Sequence, residues 1–237
     1  IYICGATTSL NFPTTSGAYQ EQSFGDTIRC AGYITKLTAD LDSIITSTYI
    51  STNSIAPQGI GTYFVSVDYT GNIYCYGIDA SLMLPQLGTG YQFGAGRVYI
   101  AKLDANLSSL LATHKMASNH SVSLGAFKID QCDRIMFSAY SNSSFETTAD
   151  NILPNGGMYV GILTPEGQDL SFGTYYTGNH VDGGTSQFSH NGSIYHAVCV
   201  PNNIFHCHTN AYSQNIMSHY DTKVFKIDPE LETISIE

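Results

Sequence analysis

The side chains best suited to metal chemistry are histidines and cysteines near the C-terminus. Five of the eight histidines lie at or after His190, and His206 and His208 flank Cys207. Imidazole and thiolate are the ligands that zinc prefers. Neither a Cys-x-x-Cys nor a His-Glu-x-x-His pattern accompanies them, so the spacing favours solvated loop histidines. His206 and His208 are therefore metal candidates by residue type alone.

Catalytic hydrolysis needs paired carboxylates in a cleft or a Ser–His–Asp arrangement. The close acidic pairs are Asp40-x-Asp42 and Asp130-x-x-Asp133. Both fall among turn-forming residues, and turn chemistry explains them without catalysis. Asp68-x-x-Gly71 also has the pattern of a hairpin turn, and the alternative interpretation is a turn that binds calcium. No other cofactor is predicted. The glycine-rich residues 88–94 lack the strand–helix–strand unit of a dinucleotide site.

The composition describes an acidic chain that is rich in short strands and turns. Charged residues make up 12% of the 237 residues, against about a quarter in an ordinary soluble domain. A net charge of −10 argues against binding to nucleic acid or to an anionic membrane surface. No apolar run is long enough to span a bilayer. The 22 glycines and 17 tyrosines are typical of strands and turns rather than helices.

An internal repeat of about 60 residues is the strongest signal in the sequence. An apolar segment begins each copy, at Ile1, Ile73, Ile135 and Ile194. In three copies a later apolar strand ends in a basic and an aliphatic residue: Lys36-Leu37, Lys102-Leu103 and Lys226-Ile227. A turn, an alternating strand and a further strand that runs into a tight turn complete the unit, as in residues 65–72.

Four short antiparallel strands per repeat predict an all-β fold, a β-propeller in which each repeat forms one blade. The central strands are apolar at nearly every position, as expected where neighbouring blades cover both faces of a sheet. We predict one partial ring over residues 1–237, with approximate blades at 1–53, 54–119, 120–179 and 180–237. The first blade lacks a strand, so the chain holds about three complete blades and an incomplete one. Strand-like residues at both ends also predict a piece of a longer protein, with any targeting signal outside it.

Six cysteines invite a disulfide interpretation if the chain is secreted. They do not recur at one repeat position, so no shared framework can be identified. The pairs that lie within one repeat unit, Cys4–Cys30 and Cys199–Cys207, are the predicted bridges. Free thiols stay the alternative, because Cys4 and Cys75 fall on apolar strands where a free cysteine packs as a small hydrophobic residue.

Tyrosines occur both within the predicted strands and in the loop after the second strand of a repeat. The loop tyrosines are Tyr19, Tyr91 and Tyr212. Rings in such loops can line one face of a propeller and stack on sugars or on a partner protein. The repeat itself predicts an aromatic residue in this slot, which favours structural anchoring, but both interpretations stay open.

The opening residues resemble the repeat of the bacterial seven-bladed β-propeller (SBBP) family. Residues 1–20, IYICGATTSLNFPTTSGAYQ, are similar to that family's pattern G-N-V-Y-V-T-G-x-T-x-S-x-x-F-P-T-T-x-G-A-Y-Q. The later copies have drifted: Ala139 replaces the strand-end glycine, and residues 206–208 replace Pro-Thr-Thr. The resemblance implies a large secreted or surface protein, commonly of Bacteroidota, where such chains often end in a sorting domain for type IX secretion.

Together these features predict a non-enzymatic, extracellular or cell-surface β-propeller that acts as an interaction or adhesion module of a larger protein. Its expected partners are a protein or a surface glycan, together with other chains or the missing blades of the same protein; neither nucleic acid nor membrane insertion is expected. Two alternatives stay open. One is an extracellular carbohydrate-active enzyme with carboxylates at the propeller axis, which the fold alone does not exclude. The other is a structural subunit of a secretion or motility assembly.

Overall fold

Fifteen β-strands and one 3-10 turn at Pro165–Gly167 form the regular structure of the described residues, so the protein is all-β as predicted. The computed structural model describes residues 1–24, 28–52, 59–117, 122–141, 144–148, 157–177, 184–189, 193–201, 220–228 and 233–236. The chain divides into two compact units, Ile1–Ser118 and Asn119–Glu237. Within the described ranges, no helix has the length and apolar character needed to cross a membrane.

Each unit contains two antiparallel sheets whose strands follow one another in chain order. The first sheet consists of β1 (Tyr2–Thr7), β2 (Ala31–Leu37) and β3 (Ile44–Ile50), and the second of β4 (Ile60–Val67), β5 (Ile73–Asp79), β6 (Val98–Leu103) and β7 (Leu110–Met116). The third consists of β8 (Val122–Ile129), β9 (Ile135–Ser141), β10 (Gly157–Leu163) and β11 (Leu170–Thr177), and the fourth of β12 (Gly184–Phe188), β13 (Ile194–Pro201), β14 (Tyr220–Asp228) and β15 (Thr233–Ile236). The predicted four-stranded antiparallel sheets are thus confirmed for the second, third and fourth repeats, and the first sheet has three strands.

The strand pairing places the four repeat isoleucines at one register position. Three of them face an aliphatic residue of the next strand: Ile73 and Leu103, Ile135 and Leu163, Ile194 and Ile227. In the first sheet the Leu37 N–H donates to the Ile1 carbonyl at 2.7 Å, which gives this pair the same relation. The sequence repeat is therefore also a repeat of strand register.

The hairpin turn before this position closes in the same way in three sheets. A backbone N–H donates to the carbonyl four residues later: Asp68 to Asn72 at 3.0 Å, Asp130 to Arg134 at 3.1 Å, and Ser189 to Ser193 at 2.8 Å. In the first of these turns Gly71 adopts a φ of 90°, which a residue with a side chain rarely takes. The Asp-x-x-Gly pattern of the sequence is explained by this turn.

The core of each unit lies between its two sheets. In the first unit the buried cluster joins Ile34 and Ile50 of the first sheet to Ile60, Ile73 and Leu103 of the second. In the second unit it joins Met136, Val160 and Phe172 of the third sheet to Ile194 and Phe225 of the fourth. Since full burial of one such side chain stabilises a fold by about 1.5–3 kcal/mol, face-to-face packing of the sheets is a main source of stability in each unit.

A long loop covers the outer edge of each of the first three sheets. We call these segments edge loops; their described residues are 8–24 and 28–30 in the first sheet, 80–97 in the second and 144–148 in the third. Each loop bonds to an equivalent residue of the last strand of its own sheet. In the first and third sheets the loop donates, from Thr15 N to Ser47 O at 3.1 Å and from Thr148 N to Gly173 O at 2.9 Å, whereas in the second sheet the strand donates, from Thr113 N to Leu87 O at 3.0 Å. Uncovered strand edges tend to associate, so the edge loops protect these sheets.

Candidate functional site

The last strands of the first and third sheets hold their edge loops with a tyrosine. Tyr49 lies opposite Tyr33, and Tyr175 lies opposite Tyr159, at the same register position. The Tyr49 hydroxyl accepts a hydrogen bond from the Phe12 N–H at 2.8 Å, and the Tyr175 hydroxyl accepts one from the Phe145 N–H at 3.0 Å. The phenol at this position is therefore a structural anchor of the repeat.

The second sheet has a lysine at the anchor position. Lys115 lies opposite Tyr99, and its Nζ donates to the Leu84 carbonyl at 2.8 Å. An ammonium group has three donors, so two remain for other acceptors. Among the described residues, no carboxylate forms a salt bridge with Lys115. The replacement of a phenol by an ammonium thus places a positive charge at the edge loop of an acidic protein.

Lys115 lines a polar cleft of about 180 Å³ between the edge loop and β7, together with Gln86, Gln92, Gly94, Ala95 and Gly96. Gly96 has a φ of 80°, and a β-carbon there would lie 2.6 Å from Lys115 Cε. A larger residue would therefore displace the lysine side chain. Glycine at this position keeps the cleft open beside the ammonium group.

Gln86 gives the cleft a fixed amide. Its Nε2 donates to the carbonyls of Gly90 at 3.0 Å and Thr113 at 2.8 Å, which holds the side chain in one orientation. Its buried Oε1 accepts no hydrogen bond from the part of the chain that the structure describes. Gln86 therefore supports the wall of the cleft, and the groups that the cleft offers to a ligand are the Lys115 ammonium donor and the exposed amide of Gln92, which suit a ligand with oxygen atoms.

The two described loop tyrosines hold anchoring positions. Tyr91 is 9% exposed, and its N–H donates to His114 Nδ1 at 3.2 Å. Tyr19 is half-buried against the core of the first unit, and its N–H donates to the Leu107 carbonyl at 2.7 Å. The Tyr91 N–H bonds to the side chain of His114 as the Gln20 N–H bonds to that of Thr48, at the equivalent strand position. Tyr91 is therefore the structural equivalent of Gln20 and not of Tyr19, one residue away from the alignment that the sequence predicts. Tyr91 supports the loop that forms the cleft.

The acidic pairs singled out in the sequence lie in turns, and intramolecular donors occupy the carboxylates of Asp42 and Asp130. Thr38 Oγ1 donates to Asp42 at 2.7 Å, and Arg134 Nε donates to Asp130 at 2.7 Å. Hydrogen bonds from Thr38 and Ser43 lower the pKa of Asp42. Asp40 is exposed, and Asp133 adopts a φ of 59° in its turn. These contacts give the described pairs a turn-forming role.

Asp68 is surrounded by donors in the same way. Its carboxylate accepts hydrogen bonds from the Thr70 N–H at 3.0 Å and the Asn72 N–H at 2.8 Å, and Lys102 Nζ lies 3.7 Å away. Burial opposes ionisation, but the hydrogen bonds from Asn72 and Thr70 outweigh it, so the pKa of Asp68 is lowered. Within the described ranges, no three His, Cys, Asp or Glu side chains converge on a metal position.

Chelation by EDTA is expected to leave the melting temperature unchanged, because backbone and side-chain donors already fill the Asp68 carboxylate. Asp68→Asn should lower the free energy of unfolding by about 1–2 kcal/mol, since one acceptor and the attraction to Lys102 are lost. Asp40→Asn, at an exposed turn residue, is the matched control and should cost less than about 0.5 kcal/mol. Thermal denaturation measures the effect of EDTA, and urea denaturation measures the free energies of unfolding of the two variants. A calcium-dependent rise in the melting temperature that Asp68→Asn abolishes would contradict this assignment.

The predicted Cys4–Cys30 bridge is absent, and both thiols are free. Cys4 lies opposite Ile34, and Thr7 lies opposite Ala31, the residue after Cys30. Cys30 is therefore about four residues along the strand pair from Cys4, or roughly 13 Å, which is too far for a disulfide. Cys4 packs instead against the core of the first unit, and burial raises its pKa to about 11.

The remaining predicted site residues lie outside the described residues. They are Tyr212, the metal candidates His206 and His208, and Cys207 of the second predicted bridge. These assignments stay predictions.

A scan against models of protein families finds no match, and a search of curated proteins finds no matching relative. The resemblance of residues 1–20 to the SBBP repeat therefore stays a prediction.

Sequence reasoning missed Lys115, Gln86 and Gln92. A signal for Lys115 was present, because the repeat aligns it with Tyr49 and Tyr175 once the strand register is known. Because the equivalent tyrosines have a clear structural role, the change to lysine at this position points to a different role for Lys115. The two glutamines carried no such signal, since their place in the cleft depends on the path of the edge loop.

Proposed function

We propose that the protein is a non-enzymatic, secreted or cell-surface β-propeller module that binds glycans carrying carboxylate groups. The binding site is the cleft beside Lys115. The observation that carries the proposal is the ammonium group of Lys115, which lines a polar cleft at a position where two equivalent sheets have an anchoring tyrosine.

The propeller architecture is part of this proposal. Repeated antiparallel sheets in chain order, with equal register at each repeat isoleucine, support it. So does the face-to-face packing of neighbouring sheets within each unit. The resemblance of residues 1–20 to the SBBP repeat supports the extracellular setting that we propose.

The chemistry of the cleft favours an acidic sugar over other small ligands. Sugars present dense hydroxyl groups, which pair with an amide donor and acceptor such as those of the exposed Gln92. A sugar carboxylate would provide the counter-charge for Lys115 and form a charge-assisted hydrogen bond. Occupied carboxylates in the described turns favour binding over acid–base catalysis.

The test is binding of uronic-acid oligosaccharides by calorimetry, preceded by a glycan array. We expect Lys115→Tyr to abolish binding while the fold is kept, because tyrosine is the residue that the equivalent sheets use. Lys115→Arg should keep at least part of the affinity, because it keeps the charge. Lys128→Tyr, the same change on β8 in the other unit, should bind like the parent.

Equal binding by the parent and by Lys115→Tyr would overturn the assignment of the cleft. Failure of the parent to bind any acidic glycan on the array would overturn the proposed ligand class. Circular dichroism of each variant separates loss of binding from loss of the fold.

A further inference from the structure

Asp79, the last residue of β5, is a carboxylate at a position where the first and third sheets have a hydroxyl. It lies six residues after the repeat isoleucine, as Thr7 does after Ile1 and Ser141 after Ile135. Asp79 is fully buried, and among the described residues no basic side chain forms a salt bridge with it. A buried carboxylate is costly unless other groups bind it, so its contacts indicate its role.

The Asp79 carboxylate holds the start of the edge loop through both of its oxygens. Oδ1 accepts hydrogen bonds from the Ser81 N–H at 3.0 Å and from the Ser81 hydroxyl, and Oδ2 accepts one from the Leu84 N–H at 2.7 Å. In the first sheet Thr7 Oγ1 accepts the N–H of Ser9, the equivalent of Ser81, at 3.0 Å. Asp79 therefore keeps the bond that a hydroxyl makes in the first sheet and adds one to Leu84.

The added bond replaces one that the anchor tyrosine makes in the first sheet. There the equivalent of Leu84 is Phe12, whose N–H donates to the Tyr49 hydroxyl at 2.8 Å. Lys115 holds the position of Tyr49 in the second sheet, but an ammonium group cannot accept a hydrogen bond. The buried Leu84 N–H needs a different acceptor, and the Asp79 carboxylate supplies it. The lysine and the aspartate are thus two parts of one change in the repeat.

Leu84 connects the two charged groups. Its N–H donates to Asp79, and its carbonyl accepts a hydrogen bond from Lys115 Nζ at 2.8 Å. Its side chain is buried in the core of the first unit, so packing and hydrogen bonds together fix this carbonyl. An ammonium group bound to a fixed carbonyl loses less side-chain freedom when a ligand binds, which favours affinity.

We propose that Asp79 is the positioning residue of the Lys115 cleft. By fixing Leu84 it places the Lys115 ammonium group where the two remaining donors can reach a ligand, and its negative charge attracts that group across Leu84. The effect on a ligand rests on the proposed function. The coupling of Asp79 to Lys115 exists in the free protein and can be tested there without a ligand.

The first test is a double-mutant cycle on the free protein with Asp79→Thr, Lys115→Tyr and the double variant, which has the residue pair of the first sheet. We expect Asp79→Thr to reduce the equilibrium constant for folding about tenfold more in the parent than in the Lys115→Tyr background, because a phenol can accept the Leu84 N–H. Urea denaturation measures the four proteins. An equal reduction in both backgrounds would overturn the proposal, since Asp79 would then act independently of Lys115.

Asp79→Asn takes the place of Asp79→Thr in the cycle if the threonine variant does not fold. Folding of the asparagine variant in the Lys115→Tyr background alone would support the coupling. Failure to fold in both backgrounds would overturn it, because the carboxylate would then be needed whichever residue stands at position 115.

The second test is calorimetric titration with the uronic-acid oligosaccharides. Asp79→Asn keeps the size of the side chain and removes its charge and one acceptor, so we expect about tenfold weaker binding with an unchanged circular dichroism spectrum. Asp104→Asn is the matched control, because the Asp104 carboxylate also accepts a backbone N–H, that of Ser108 at 2.6 Å, in the turn between β6 and β7. This variant should bind like the parent.

The two tests separate failure of the positioning role from failure of the proposed function. Equal affinity of Asp79→Asn and the parent would overturn the positioning role. If the parent binds no acidic glycan, the proposed ligand class is wrong, and the cycle on the free protein still decides whether Asp79 is coupled to Lys115.

Discussion

Ile73→Ala lowers the free energy of unfolding of the first unit by about 2–5 kcal/mol, whereas Ile1→Ala costs less than about 1 kcal/mol. Both residues hold the same register position of the repeat, opposite Leu103 and Leu37. Ile73 is fully buried in the core between the two sheets, so its truncation removes apolar contacts and leaves a cavity. Ile1 is 52% exposed, so its truncation removes few buried contacts and water fills the space that the side chain leaves.

The chemical change is identical in the two variants, which makes Ile1 the matched control for Ile73. Urea denaturation followed by circular dichroism gives both free energies. Equal losses at the two positions would show that burial does not differ between the repeats. A small loss at Ile73 with an unchanged transition slope would contradict the packing of the first sheet on the second.

The sequence was sufficient to predict the strands because their signals are local. Apolar runs that begin at Ile73, Ile135 and Ile194, together with Asp/Asn-Gly turns, specify hairpins through residues close in the chain. The three-stranded first sheet also followed, because the missing segment is visible as a gap in the repeat.

The candidate site could not be predicted because it depends on loop paths and cross-strand register. Tyr91 takes the place of Gln20, a slip of one residue that no local pattern indicates. The Cys4–Cys30 bridge was proposed from sequence proximity, and register separates the two thiols along the strands. Lys115 became conspicuous only when pairing placed it opposite Tyr99. Such errors arise wherever a contact joins residues whose spacing is set by a loop.

Acidification from pH 8 to about 4 is expected to destabilise the second unit by about 3 kcal/mol through His196. His196 is fully buried on β13, and burial lowers its pKa from 6.5 to about 4. At pH 8 the imidazole is neutral in both states and contributes no pH dependence. As the pH falls below 6.5, His196 binds a proton in the unfolded chain, whereas in the folded chain it stays neutral until about pH 4. The folded state therefore loses stability across this window, and the loss levels off below it.

His196→Gln should flatten the dependence of the unfolding free energy on pH between 6.5 and about 4, because glutamine does not titrate. Tyr195→Phe, on the neighbouring and partly exposed residue, is the matched control and should keep the slope of the parent. Urea denaturation at several pH values measures the three curves. Aspartates with lowered pKa, such as Asp104, lose their contribution only at lower pH, so their titration does not mask that of the histidine. Parallel curves for the parent and His196→Gln would show that the imidazole is hydrated in the folded state, and that the third and fourth sheets do not exclude water at this position.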